Sequence, residues 1–110
     1  MTENAETDAA RTASHATISS VNASRYLQQL CKHWSHRFAV TFTPERGSID
    51  FGAGDELALV AQAGQLHLVL LVGQSADLTS MQGVVAEHLS RFAFREALSI
   101  DWTPGKGPVG

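Results

Sequence analysis

The chain has 110 residues, 44% of them hydrophobic, and a formal net charge of −3. That length suits one domain, and that apolar content excludes wholesale disorder. Much of the negative charge lies in the first 13 residues, which hold Glu3, Glu6 and Asp8 against Arg11, so the remainder is nearly neutral and lacks the basic footprint of a nucleic-acid binder.

Cys31 is the only cysteine, which leaves no internal disulfide and no cysteine-rich zinc cage. No apolar run approaches the ~18 residues of a membrane helix. The start, Met1-Thr2-Glu3-Asn4-Ala5-Glu6, has neither a basic segment nor an apolar one, and so predicts a cytoplasmic chain rather than a secreted one.

Residues 1–13 are rich in Ala, Thr, Glu and Asp and read as a disordered acidic tail. The Gly- and Pro-rich stretch 104–110 reads as a flexible end, which leaves a single domain over 14–103. Ala16 and Ile18 alternate with polar neighbours as in a strand. Asn22 then offers an N-cap, and Ala23, Leu27, Leu30, Cys31 and Trp34 form one stripe of an amphipathic helix.

Four alternating strands follow, around Val40 and Phe42, Ile49 and Phe51, Leu57 to Ala61, and Leu66 to Val72. The turns between them, Pro44 to Gly47, Gly52 to Asp55 and Gly64-Gln65, are short enough to force an antiparallel meander. Asp77 caps a second helix whose stripe is Leu78, Met81, Val85, Leu89 and Phe92. Gly83 inside it predicts a point of close packing, since an unneeded helix glycine costs ~1 kcal/mol. Leu98, Ile100 and Trp102 alternate as a last strand. The expected fold is a two-layer α+β sandwich in the order β-α-β-β-β-β-α-β, with a mostly antiparallel sheet and both helices on one face.

Candidate site residues fall into three groups. His33 and His36 are three apart in the first helix, about 60° on its wheel, and could share a metal if a third group joined them. The same two side chains also suit the last turn of a helix, whose negative C-terminal end favours positive charge. Arg25, Lys32 and Arg37 make the polar face of that helix mildly basic, which fits either plain solvation or an anionic ligand. Cys31 lies on the apolar stripe and points about 140° away from His36, so it reads as a core residue rather than a nucleophile.

Arg91 and Arg95 interleave with Phe92 and Phe94, a pattern of packing aromatics with arginines lying over them. The third group is His67, Val69 and Leu71, the outer side of the Leu66 to Val72 strand. It is apolar where a half-exposed strand carries polar groups, so a homodimer interface or a pocket is expected to cover it. No phosphate-cradling glycine loop, nucleophile elbow, His-Glu-x-x-His helix or paired carboxylates occur, and the chain reads as non-catalytic.

Three segments taken together, Asn22 to Leu27, Leu30 to His36 and His88 to Glu96, resemble the bacterial domain-of-unknown-function family 2218, and Leu98 to Trp102 extends the likeness over roughly 14–103. The resemblance implies a bacterial cytoplasmic accessory or ligand-binding module. It also implies an association with siderophore-interacting, flavin-dependent ferric reductases, so that iron or a ferric siderophore is the implied ligand and such a reductase the implied partner. The recurrent helix residues it marks for testing are His33, His36, Arg91 and Arg95. Metal binding through the helix histidines and a structural homodimer are the alternative functions.

Overall fold

The computed structural model describes residues 11–73, 77–93 and 95–106. Six strands and two helices follow in the order β1 (Arg11–Ser19), α1 (Ala23–Trp34), β2 (Ala39–Phe42), β3 (Arg46–Gly52), β4 (Asp55–Gln62), β5 (Gln65–Gly73), α2 (Leu78–Phe92) and β6 (Thr103–Pro104). The two-layer α+β architecture and its element order are those expected from the alternation of apolar residues. β2 to β5 form the meander, because each of their connections is too short to do anything but reverse the chain.

The spatial order is β2-β3-β4-β5-β1-β6, so β1 pairs with β5 and not with its sequence neighbour β2. Their antiparallel register runs from Arg11 opposite Gly73 to Ser19 opposite Gln65. The strand thus begins at Arg11, and residues 11–13 belong to the sheet rather than to a tail; residues 1–10 and 107–110 lie outside the described residues. Ile18, Ile49, Leu57, Leu59, Leu66, Leu68, Leu70 and Val72 point from one face into a single core with Leu27, Leu30 and Cys31 of α1 and Val85 and Leu89 of α2. Both helices therefore cover the same face. No helix among the described residues is long and apolar enough to cross a membrane.

Four local expectations change. The Leu98, Ile100 and Trp102 alternation is real in burial, since all three pack on the core, but residues 97–102 form no ladder and only Thr103–Pro104 pairs with β1. Alternation reports which side a residue faces, not whether a neighbouring strand is there to receive its hydrogen bonds. Asn22 stands at the N-cap position of α1, but its side chain makes no cap hydrogen bond. Gly83 faces open space with nothing within 4 Å of a Cβ placed there, so it serves no close packing. Gly47, read as a turn residue, lies inside β3. At the turn between β3 and β4, Gly52, Ala53 and Gly54 all have positive φ, the conformation that a tight hairpin of this hand requires.

Candidate functional site

α1 and α2 lie antiparallel over the sheet, and the residues along their seam define the site. Glu96, just past α2, meets Asn22 and Tyr26 at the start of α1. Phe92 and His88, further back along α2, meet His33 and Trp34 near the end of α1. Met81 and Val84 line a cleft with Trp34, Arg37 and Phe38 where α1 ends.

At the first end of the seam a polar network closes over the start of α1. The Glu96 carboxylate accepts hydrogen bonds from the Tyr26 hydroxyl, from Asn22 Nδ2 at 2.9 Å and from Ser20 Oγ at 3.2 Å. The hydrogen bond from Tyr26 and then that from Asn22 hold the Glu96 carboxyl below the usual carboxylate range. Burial, and then that same carboxylate, push the Tyr26 phenol up. An acidic group at a helix start is favoured by the exposed N–H groups there, so Glu96 supplies from a distant segment what α1 lacks in its own first turn. Beside this network lies a cleft of about 620 Å³ lined by Arg25, Gln29, Phe92 and Arg95 together with Asn22, Tyr26 and Glu96. It falls within the ~300–1,000 Å³ range of small-molecule sites.

The other end of the seam is aromatic. Trp34 packs edge-on against Phe51 with ring centres 5.1 Å apart, and Phe51 does the same with Phe38 at 5.0 Å. A cleft of about 350 Å³ opens there among Trp34, Arg37, Phe38, Phe51, Asp55, Met81, Val84 and His88. Between the two clefts, His33 lies against His88 and Phe92, with ring centres 5.3 and 5.8 Å away.

The sequence-derived candidates divide accordingly. Arg25 and Arg95 come together at the first cleft, and Arg37 lines the second. Lys32 is exposed, and Arg91 is held by Glu87 in an exposed ion pair at 3.0 Å. His33 and His36 are both exposed, His33 in the last turn of α1 and His36 in the turn that follows Trp34. The His33 ring meets His88 of α2. Cys31 is fully buried with its thiol pushed up to about 11 by burial, as a core cysteine should be. Among the described residues no three His, Cys, Asp or Glu side chains gather as a metal-holding group.

On the outer sheet face Val69 and Leu71 are half-buried, and neither helix covers them. The Arg11–Glu56 ion pair, at 3.1 Å, joins β1 to β4 across β5 near Leu71. His67 is not available as an interface residue: it is 3% exposed, 2.8 Å from Thr17 Oγ1 through Nδ1, and stacked on His15. His15 in turn donates from Nδ1 to the Gly105 carbonyl at 3.0 Å, tying the C-terminal segment to β1.

His67 Nε2 is buried without a hydrogen-bond partner, and burial first, then the neighbouring His15, lower its pKa. The unfolded chain therefore binds a proton near the usual imidazole pKa of about 6.5, while the folded chain binds it only at lower pH. Stability should be complete above that value and decline as pH falls below it toward the folded pKa. Urea midpoints between pH 7.5 and 5.5 are expected to fall in the native protein and to fall less in His67→Leu. Equal slopes in the two would show that His67 is not the titrating group.

Tyr26 and Glu96 were not singled out by sequence reasoning, because a network joining residues 20–26 to residue 96 leaves no local spacing to read; Asn22 and Phe92 were read only as a helix cap and a core stripe, and His88 only as one of the histidines that could complete a metal site with His33 and His36. The chain resembles a solved structure, "NMR structure of PA4090 from Pseudomonas aeruginosa", at 43% identity and a TM-score of 0.64 over 88% of this chain and 98% of the other. No curated protein matches it. Residues 15–103 match the family described as "Uncharacterized protein conserved in bacteria (DUF2218)", and the chain belongs to that family.

Proposed function

We propose that this chain is a non-catalytic, cytoplasmic small-ligand-binding module whose ligand is an anion seated in the cleft at the start of α1. The observation that carries the reading is the convergence of Arg25 from one helix and Arg95 from the segment after the other on a cleft of about 620 Å³. The lining carries two guanidinium groups against one carboxylate, that of Glu96, so positive charge is in excess along the wall of the cleft. Guanidinium pairs suit planar carboxylate and phosphate groups, and Phe92 adds an aromatic wall. Anionic ferric siderophores fall within this class, which is how the proposal connects to iron handling and to a siderophore-interacting reductase as partner.

Calorimetric titration with inorganic phosphate, citrate and an anionic ferric catecholate tests the reading. Replacing Arg25 and Arg95 by alanine should weaken the best ligand at least tenfold, about 1.4 kcal/mol. If no member of the panel binds more tightly than ~100 μM, the reading fails.

A homodimer through the outer sheet face is the second reading, favoured by Val60, Val69 and Leu71, which lie half-buried and outside the core. A dimeric mass by light scattering that becomes monomeric in Leu71→Lys is its expected signature. A monomer for the native chain removes it.

A further inference from the structure

We propose that His33 and His88 form an exchangeable binding site for a divalent transition cation, zinc or copper(II), across the α1–α2 seam. This site is independent of the anion cleft and uses a different pair from the one the helix spacing suggests. Its first support is distance. With metal–nitrogen bonds of about 2.0–2.1 Å, and each ring centre roughly 1.1 Å behind its ligating nitrogen, two imidazoles on one tetrahedral ion have centres about 5.2 Å apart. His33 and His88 have ring centres 5.3 Å apart.

The second support is the state of the nitrogens. His88 Nδ1 lies 2.7 Å from the Val84 carbonyl, which can only accept, so Nδ1 carries the proton and Nε2 holds a free lone pair. A backbone carbonyl that fixes the tautomer and orientation of a histidine is the usual outer partner of a ligating imidazole. His33 is exposed and, among the described residues, has ring contacts but no hydrogen bond to redirect its nitrogens.

The third support is rigidity. Trp34, 4% exposed, backs the His88 ring at 4.8 Å, and Phe92 backs His33 at 5.8 Å, so both imidazoles stand on packed helices. With no third His, Cys, Asp or Glu gathered there among the described residues, water fills the remaining positions and the ion exchanges readily. Imidazole donors favour copper(II) over zinc and disfavour magnesium and calcium. The other close histidine pair does not serve: His15 and His67 are 5.8 Å apart, and His67 Nε2 is sealed from solvent.

The test titrates the native chain with zinc and copper(II) in a non-coordinating buffer, by calorimetry and by quenching of tryptophan fluorescence. One ion per chain is expected, bound more tightly for copper(II). His33→Ala and His88→Ala should each weaken it at least tenfold, while His36→Ala and the Arg25→Ala/Arg95→Ala double variant leave it unchanged. His88→Gln, with thermal unfolding measured without metal, guards against misfolding of the alanine variant. Nitrogen-15 imidazole spectra should show zinc shifting the His88 Nε2 resonance while Nδ1 keeps its proton. Binding that survives loss of His88, binding equally weakened by His36→Ala, or no binding tighter than ~1 mM overturns the site. Because the arginine variant leaves this site intact, its failure and that of the anion cleft are read separately.

Discussion

Gly47→Val is expected to destabilise the domain by about 3 kcal/mol, a large loss for a substitution at a single sheet position. Gly47 is buried on the inner side of β3, opposite Phe42 on β2 and Leu59 on β4. A Cβ there would sit 2.7 Å from Cys31 Sγ, 3.3 Å from Leu59 Cδ1 and 3.4 Å from Leu27 Cδ2. The missing side chain is what lets α1 lie directly on the sheet, so any added carbon lifts the helix.

Gly47→Ala separates this from glycine's backbone effect. Alanine normally gains about 0.4–1 kcal/mol by restricting the unfolded chain, whereas overpacking costs about 1–3 kcal/mol, so a net loss is expected. Adding Cys31→Ala removes the sulfur and should recover part of that loss, a coupling of about 0.5–3 kcal/mol in a double-mutant cycle of urea denaturation. If Gly47→Ala is neutral or stabilising, the contact is not tight. A lifted α1 also carries Arg25 and His33 away from α2, so both ligand sites should weaken along with stability.

Gly47 also shows where the sequence stops informing. The residues Pro44-Glu45-Arg46-Gly47 carry a turn composition, and composition places the turn without fixing where the next strand starts. Only the helix lying over β3 makes a glycine necessary inside the strand. The apolar stripes were legible for the same reason: Leu27, Leu30, Cys31 and Trp34 must share a face if the segment is helical, and they do. β1 beside β5 was not legible, because hydrophobic alternation fixes the face of a strand and says nothing of its neighbours.

The site was half legible. Arg25 and Arg95 could be named as basic residues on helical motifs, but their meeting depends on the antiparallel seam. The contact of His33 with His88 was not legible, because it crosses from one helix to the other. Glu96, whose carboxylate joins Ser20, Asn22 and Tyr26, has no sequence signature, since its partners lie at least 70 positions away.

Trp34→Ala is expected to cost about 3–5 kcal/mol, the range for truncating a large buried aromatic. Trp34 is 4% exposed at the last turn of α1 and touches three elements at once. Its ring meets Phe51 of β3 at 5.1 Å and 84°, and His88 of α2 at 4.8 Å and 45°, while its own helix sits over Ile49 and Leu59 in the common core. Removing the indole therefore deletes apolar burial and an edge-on aromatic pair, and it enlarges the aromatic cleft rather than letting it collapse, because strand and helices hold its walls apart. Trp34→Phe keeps part of the burial and should lose less. Chemical denaturation followed at Trp102 measures both, and a loss below ~1 kcal/mol for Trp34→Ala would mean the seam does not depend on this ring. The two ends of the seam should then part company. His88 loses its backing ring, so metal affinity should drop at least fivefold in Trp34→Ala, whereas the Arg25 and Arg95 cleft, held by Glu96 and Tyr26 at the opposite end, should keep its anion affinity within about twofold under folding conditions.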